Sequence, residues 1–313
     1  MAAHWEPYPV YDAFHNARRR SLGQGPSPVM PPRAAPVGEW KEYYIYTFDF
    51  TGSAALTGGA ADARPTTLAF APVSVRIDSD ADFELGKTMY FPARGRVYAR
   101  YKDETRGQYL HRGTLDLRAV AGIGQAFPIV GSPSFLPYIW PAIWRVKASS
   151  LLSVEAADFS GLGLGTNAVR LSFHGAKCRS GVKPWDDARV VRRVAYTLPW
   201  PPDDVDFTAI AANATVPVSA PIDAEGDFLV HKITGVRTGE AIITIQDGPG
   251  RERLWMDRAV HIDNLVGNGS FPNILPAPRF VFRGSTISGT IRDLSGATNY
   301  VRLYFHGERL YYE

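Results

Sequence analysis

The chain has 313 residues, 45% of them hydrophobic, and carries 34 basic against 31 acidic side chains for a formal net charge of +3. That apolar fraction excludes wholesale disorder, and so small a charge does not predict a nucleic-acid partner. The length predicts about two domains, and with Cys178 the only cysteine no intrachain disulfide framework is possible.

Residues 1–38 read as an extended arm. Seven prolines fall between Pro7 and Pro36, each removing a backbone donor and fixing φ, with room for only a short helix near Asp12 to Arg20. Trp5, Tyr8, Tyr11 and Phe14, followed by Arg18, Arg19 and Arg20, are anchors a solvated tail would not need, so the arm is expected to lie on neighbouring subunits. It has no apolar run of signal-peptide length, and no stretch of about 18 apolar residues occurs anywhere, so no membrane span is expected.

From Glu39 the texture is that of strands. Tyr43, Ile45, Thr47 and Asp49 alternate with Tyr44, Tyr46, Phe48 and Phe50. Further β-branched and aromatic runs cover 73–77, 97–101, 169–173, 241–245, 280–283, 287–291 and 301–305, punctuated by turns such as Asp247-Gly248-Pro249-Gly250. No segment holds a helical apolar stripe over three turns, so the class is all-β.

The chain then repeats itself. Ile77-Asp78-x-x-x-Asp82-Phe83 recurs as Ile222-Asp223-x-x-x-Asp227-Phe228, and Ile139-x-Pro141-Ala142 as Ile274-x-Pro276-Ala277. Ser150 matches Ser285, Asp158-Phe159-Ser160-Gly161 matches Asp293-Leu294-Ser295-Gly296, and Val169 to Gly175 matches Val301 to Gly307, closing on Phe-His-Gly at His174 and His306. Blocks in one order with slowly drifting offsets mark a tandem duplication. The predicted organisation is an arm over 1–38, a β-sandwich or jelly-roll-like domain over 39–178, a basic and proline-rich connector over 179–204, and a second such domain over 205–313. Around Val194 to Leu198 the connector could supply the second domain's first strand.

Chemistry is sparse. His174 and His306 fall on the polar side of an alternating strand without a sequence neighbour to act as partner, so both read as structural. Asp78, Asp80 and Asp82 space like the opening of a calcium loop and are the candidate cation ligands, but Phe83 and Met89 stand where such a loop needs Gly and Glu, which favours a polar turn. His261-x-Asp263 offers two ligand types without a third. Gly161-x-Gly163-x-Gly165 precedes a strand rather than a helix, and Ser285 and Ser288 are not in a nucleophile elbow. The expectation is a protein that is not an enzyme and takes no cofactor.

The run Val260-His261-Ile262-Asp263-Asn264-Leu265-Val266-Gly267-Asn268-Gly269 is followed by Ile274-Leu275-Pro276-Ala277-Pro278-Arg279-Phe280 and Arg283-Gly284-Ser285-Thr286-Ile287. It resembles a group of tailed-bacteriophage virion proteins with head-, neck- or tail-associated β-domains. The resemblance covers residues 205–313, with a degenerate echo over 70–178, and carries over no catalytic residue. It implies a structural virion component, such as a capsid-decorating, neck or collar protein. That component would be made in the host cytoplasm and partnered by copies of itself and by capsid, portal or tail proteins, without membrane or nucleic acid. A carbohydrate-binding module of a tail or fibre is the alternative, with Trp140, Trp144 and Trp255 as candidate sugar platforms.

Overall fold

The computed structural model describes residues 38–51, 56–57, 70–91, 97–111, 114–126, 133–158, 166–167, 169–181, 183–186, 189–202, 209–248 and 253–313. Trp5, Tyr8, Tyr11, Phe14 and Arg18 to Arg20 of the arm, and the glycines Gly161, Gly163 and Gly165, lie outside them.

The first unit contains β1 (Glu39–Phe50), β2 (Ala71–Arg76), β3 (Asp82–Phe91), β4 (Val97–Asp103), β5 (Gln108–Tyr109), β6 (Tyr138–Val146), β7 (Leu151–Asp158) and β8 (Val169–Ser180). The second contains β9 (Val190–Trp200), β10 (Thr215–Pro221), β11 (Asp227–Arg237), β12 (Ala241–Asp247), β13 (Arg253–Leu254), β14 (Asn273–Val281), β15 (Thr286–Asp293) and β16 (Val301–Tyr312). In unit 1 the sheets run β1-β8-β3-β6 and β2-β7-β4-β5; in unit 2 they run β9-β16-β11-β14 and β10-β15-β12-β13. Successive strands alternate between sheets except at the hairpins β4–β5 and β12–β13. That is the jelly-roll order rather than the immunoglobulin one, and β1 corresponds to β9, β2 to β10, and so on through β8 and β16. The first unit adds a hairpin, Gly122–Ala126 with Pro133–Leu136, that pairs parallel to the end of β3. Residues 179–204, read as a connector, thus include the last residues of β8 and all of β9.

The repeated residues close the same turns twice. The Asp82 carboxylate accepts the Ala148 amide at 2.9 Å, and Asp227 accepts the Arg283 amide at 2.7 Å. Ile77 and Ile222 each donate a backbone bond, of 2.8 Å, to Ser150 and Ser285. Between those anchors the chain turns through a left-handed residue, Ser149 at φ 64° and Gly284 at φ 68°. Ile77, Phe83, Ile222 and Phe228 fill the cores beside these turns.

Strand irregularities are duplicated as well. The ladder between β8 and β3 skips Gly86, and that between β16 and β11 skips His231, so that His174 faces Lys87 and His306 faces Lys232. At the next residue a Cβ on Gly175 would lie 2.1 Å from the Glu84 carbonyl oxygen, and one on Gly307 would lie 1.9 Å from that of Leu229. Only glycine fits there, which explains why the Phe-His-Gly block survives in both copies. Pro141 and Pro276 sit in matching bulges of β6 and β14, between Ile139 and Trp144 and between Ile274 and Arg279, where no ladder bond needs an N–H.

The two cores share a strand. Tyr44, Tyr46, Phe48 and Phe50 of β1 pack into the first core, while Tyr43 and Ile45 on the opposite face pack into the second. The alternation in β1 is therefore real, but neither of these faces meets solvent. Burying Tyr43 and Ile45 in the second unit contributes about 2 kcal/mol each by area.

Candidate functional site

The densest polar chemistry among the described residues lies in the seam between the units. It is built on the outer face of β1, β8 and β3, which the second unit covers with β14 and residues 255–273.

At one end β1 continues its hydrogen bonding across the seam. The Ile45 amide donates to the Trp255 carbonyl at 3.0 Å, the Asp257 amide returns a bond to Ile45 at 3.1 Å, and the Thr47 amide donates to the Asp257 carboxylate at 2.8 Å. Beside this strand lies a buried ion network. Arg279 binds Asp247 through two nitrogens at 2.6 and 3.0 Å, donates to the Tyr43 and Arg253 carbonyls, and lies 3.4 Å from Glu42. Glu42 also accepts from Arg179 at 2.7 Å and from Arg253, and the Trp255 indole N–H donates to Asp247 at 2.6 Å. Burial pushes the Asp247 carboxyl up, and the Arg279 charge works against that. Three guanidinium groups surround two carboxylates, and each unit contributes both signs.

In the middle of the seam the His174 ring is fully buried, with Nδ1 at 2.8 Å from the Tyr43 hydroxyl. Lys87 donates to the Ile274 carbonyl, and Pro276 packs toward Gly86. Burial brings the Lys87 ammonium down to about 7. Burial, reinforced by the Lys87 charge, depresses His174 to about 3, so the ring is neutral at physiological pH. Asn273 donates to Leu265 at 2.7 Å, and Asn264 donates to the Arg170 carbonyl at 3.1 Å. At the far end His261 stacks on Phe91, with ring centroids 3.8 Å apart.

This arrangement corrects several expectations. Ser172 and His174 are on the polar side of their strand, and the second unit buries both completely. His306, the counterpart, is only partly buried, held between Thr197 at 3.0 Å and Thr234 at 2.8 Å. Trp255 cannot serve as a sugar platform because it has no exposed surface. Trp140 and Trp144 stack on each other with centroids 4.6 Å apart and pack against the first core.

The carboxylates proposed for a cation already have partners. Lys177 binds Asp78 at 2.6 Å and Asp80 at 3.3 Å, and Asp82 binds Arg145 and Lys147. The second copy repeats this, with Arg309 on Asp223. In each unit the last strand thus delivers a protein cation to the turn, Lys177 of β8 to Asp78 and Asp80 and Arg309 of β16 to Asp223. His261 accepts the Asp263 amide and Asp263 is held by Arg237 in a bidentate pair at 2.7 Å, so neither points into a shared ligand site. Glu39, Glu84 and Cys178 come together, but Arg145 and Lys41 pair the two carboxylates and burial pushes the thiol up to about 12. Ser285 donates to the Phe282 carbonyl, and Ser288 lines a shallow open depression on the outer face of β10, β15 and β12 whose lining holds no acid, base or thiol. No helix among the described residues is long and apolar enough to cross a membrane.

Sequence reading missed Glu42, Asp247 and Arg279, which carry no local motif. It also missed Lys87, although a signal was present: the spacing that maps Phe83 onto Phe228 maps Lys87 onto Lys232.

No family model matches the chain, and no curated protein matches it. Among solved structures, the CUB1-EGF-CUB2 domain of human MASP-1/3 aligns over 84% of this chain and 99% of its own, with 11% identity and a TM-score of 0.20. A likeness this low bears on neither fold nor function.

Proposed function

We propose that the chain is a non-enzymatic structural protein that assembles through its jelly-roll units, as a component of a tailed-phage virion. The observation that carries the structural reading is the seam itself. Strand β1 belongs to two cores, and a five-residue ion network locks the units in one orientation. Burying Glu42, Asp247 and Arg279 costs several kcal/mol in desolvation, and here that arrangement holds two domains together instead of lining a cleft. Jelly rolls serve as capsid and lectin domains alike. What directs the proposal to a virion is the sequence resemblance over 205–313, together with the proline-rich arm.

The test is native mass together with cosedimentation with phage particles, before and after deletion of residues 1–36. The expected result is an oligomer that sediments with particles, and a truncated chain that stays folded but no longer does. A chain that never joins a particle overturns the virion assignment. Glycan binding abolished by Trp140→Ala at unchanged melting temperature would replace it with the carbohydrate-binding reading.

A further inference from the structure

The duplication produced two copies of each side of the seam, and the chain uses one of each on itself. The β14 bulge of unit 2, with Ile274 and Pro276, covers Gly86, Lys87 and His174 of unit 1. The two counterparts are left over. In unit 1 the matching β6 bulge stands in solvent, with Ile139 38% and Ile143 59% exposed and Pro141 exposed between them. In unit 2 the matching face presents Ala195, Thr197 and Lys232 as exposed residues around His306.

We propose that a second copy of this chain covers that face with the Ile139-x-Pro141 bulge of its unit 1, so that chains join head to tail through a contact repeating the seam inside each one. The inference deepens the assembly reading and rests on it only in naming the partner. In the repeated contact, Lys232 donates to the Ile139 carbonyl as Lys87 does to Ile274.

At two facing positions the side chains have changed together, and at a third His231 replaces Gly86 under an unchanged proline. Strand register places Val194 where unit 1 has Glu42, and Trp144 where unit 2 has Arg279. A buried ion pair in the internal seam is thus answered by an apolar pair in the external one, and Val194 is 41% exposed in the isolated chain. The same register sets Ala195 against Tyr138 where the internal seam has Tyr43 against Asn273, so a smaller residue on one side is matched by a larger one on the other. Drift on one face alone would have left a lone charge or an overfilled gap. A contact of this kind is heterologous, since the two surfaces differ, and it builds a ring or an open filament.

The experiment uses the full chain and two exposed substitutions, Ile139→Arg on the bulge and Val194→Glu on the receiving face. Wild type is expected to assemble into multiples of 34.4 kDa in native mass measurements. Each variant alone should lose that assembly while its circular dichroism and melting temperature remain those of wild type. Mixed together, the two variants should form a species of two chains and stop, because one intact bulge meets one intact face. Adding Trp144→Arg in place of Ile139→Arg should restore longer assemblies with Val194→Glu by recreating the internal ion pair. A wild type that is monomeric at its highest soluble concentration overturns the proposal, as do variants that assemble like wild type or a mixture that stays monomeric. Particle cosedimentation fails or succeeds separately, so a head-to-tail oligomer that never joins a particle overturns only the virion assignment.

Discussion

Ser149 and Gly284 occupy the same turn in the two units, and only one of them is suited to it. A left-handed backbone costs a residue with a Cβ about 1–2 kcal/mol, and Ser149 adopts it at φ 64°. Ser149→Gly is expected to stabilise the protein by roughly 0.5 kcal/mol after the added freedom of the unfolded chain is subtracted. A chemical denaturation midpoint that falls would contradict this. His174 makes a pH prediction of defined sign. Its folded value of about 3 lies below the unfolded value of about 6.5, so the unfolded chain binds the extra proton between them. The stability that His174 contributes is fully present above pH 6.5 and lost as pH falls toward 3. Asp257, pushed up to about 6 by burial, acts with the opposite sign over part of that window. The diagnostic is therefore the difference between wild type and His174→Gln, whose melting temperature should depend less steeply on pH from 6.5 downward.

At the scale of elements, strands are legible where one residue type dominates a run and obscure where a strand is interrupted for packing. The runs within β1, β4, β8, β12, β15 and β16 stand out because β-branched and aromatic residues fill them. Strands β3 and β11 do not, since Gly86-Lys87 and His231-Lys232 break their pattern at the bulge, and Pro141 and Pro276 break β6 and β14. Each interruption has a function that only pairing reveals. Arg279 on β14 is the clearest case, a charged residue 1% exposed in a strand that otherwise reads as amphipathic. Removing it would leave Asp247 buried without its main counter-charge, while Glu42 keeps Arg179 and Arg253. Arg279→Ala is expected to cost about 3–5 kcal/mol, more than any exposed arginine substitution, measured as the change in unfolding free energy.

At the scale of the molecule, the seam predicts cooperativity. Tyr43 and Ile45 come from the first unit and complete the second core, so the second unit is not self-sufficient. A fragment spanning 189–313 is expected to melt well below the full chain, and a peptide covering 39–50 should raise its melting temperature. Ile45→Ala in the full chain should cost about 2–4 kcal/mol and lower the single transition without splitting it into two. Two separate calorimetric transitions in wild type would show that the units unfold independently, against the shared-strand architecture.

The sequence by itself determined that the chain is all-β, that it holds one unit twice, and which residues close the repeated turns. Those properties are written in local periodicity and in residues that recur in order, because turn geometry and core volume act on neighbours along the chain. Only the tertiary structure decided the jelly-roll strand order, the burial of His174 against the partial exposure of His306, and the placing of β1 in two cores. Two identical strand patterns acquire different environments once one face is covered and its copy is not, and coverage is set by contacts between residues more than a hundred positions apart.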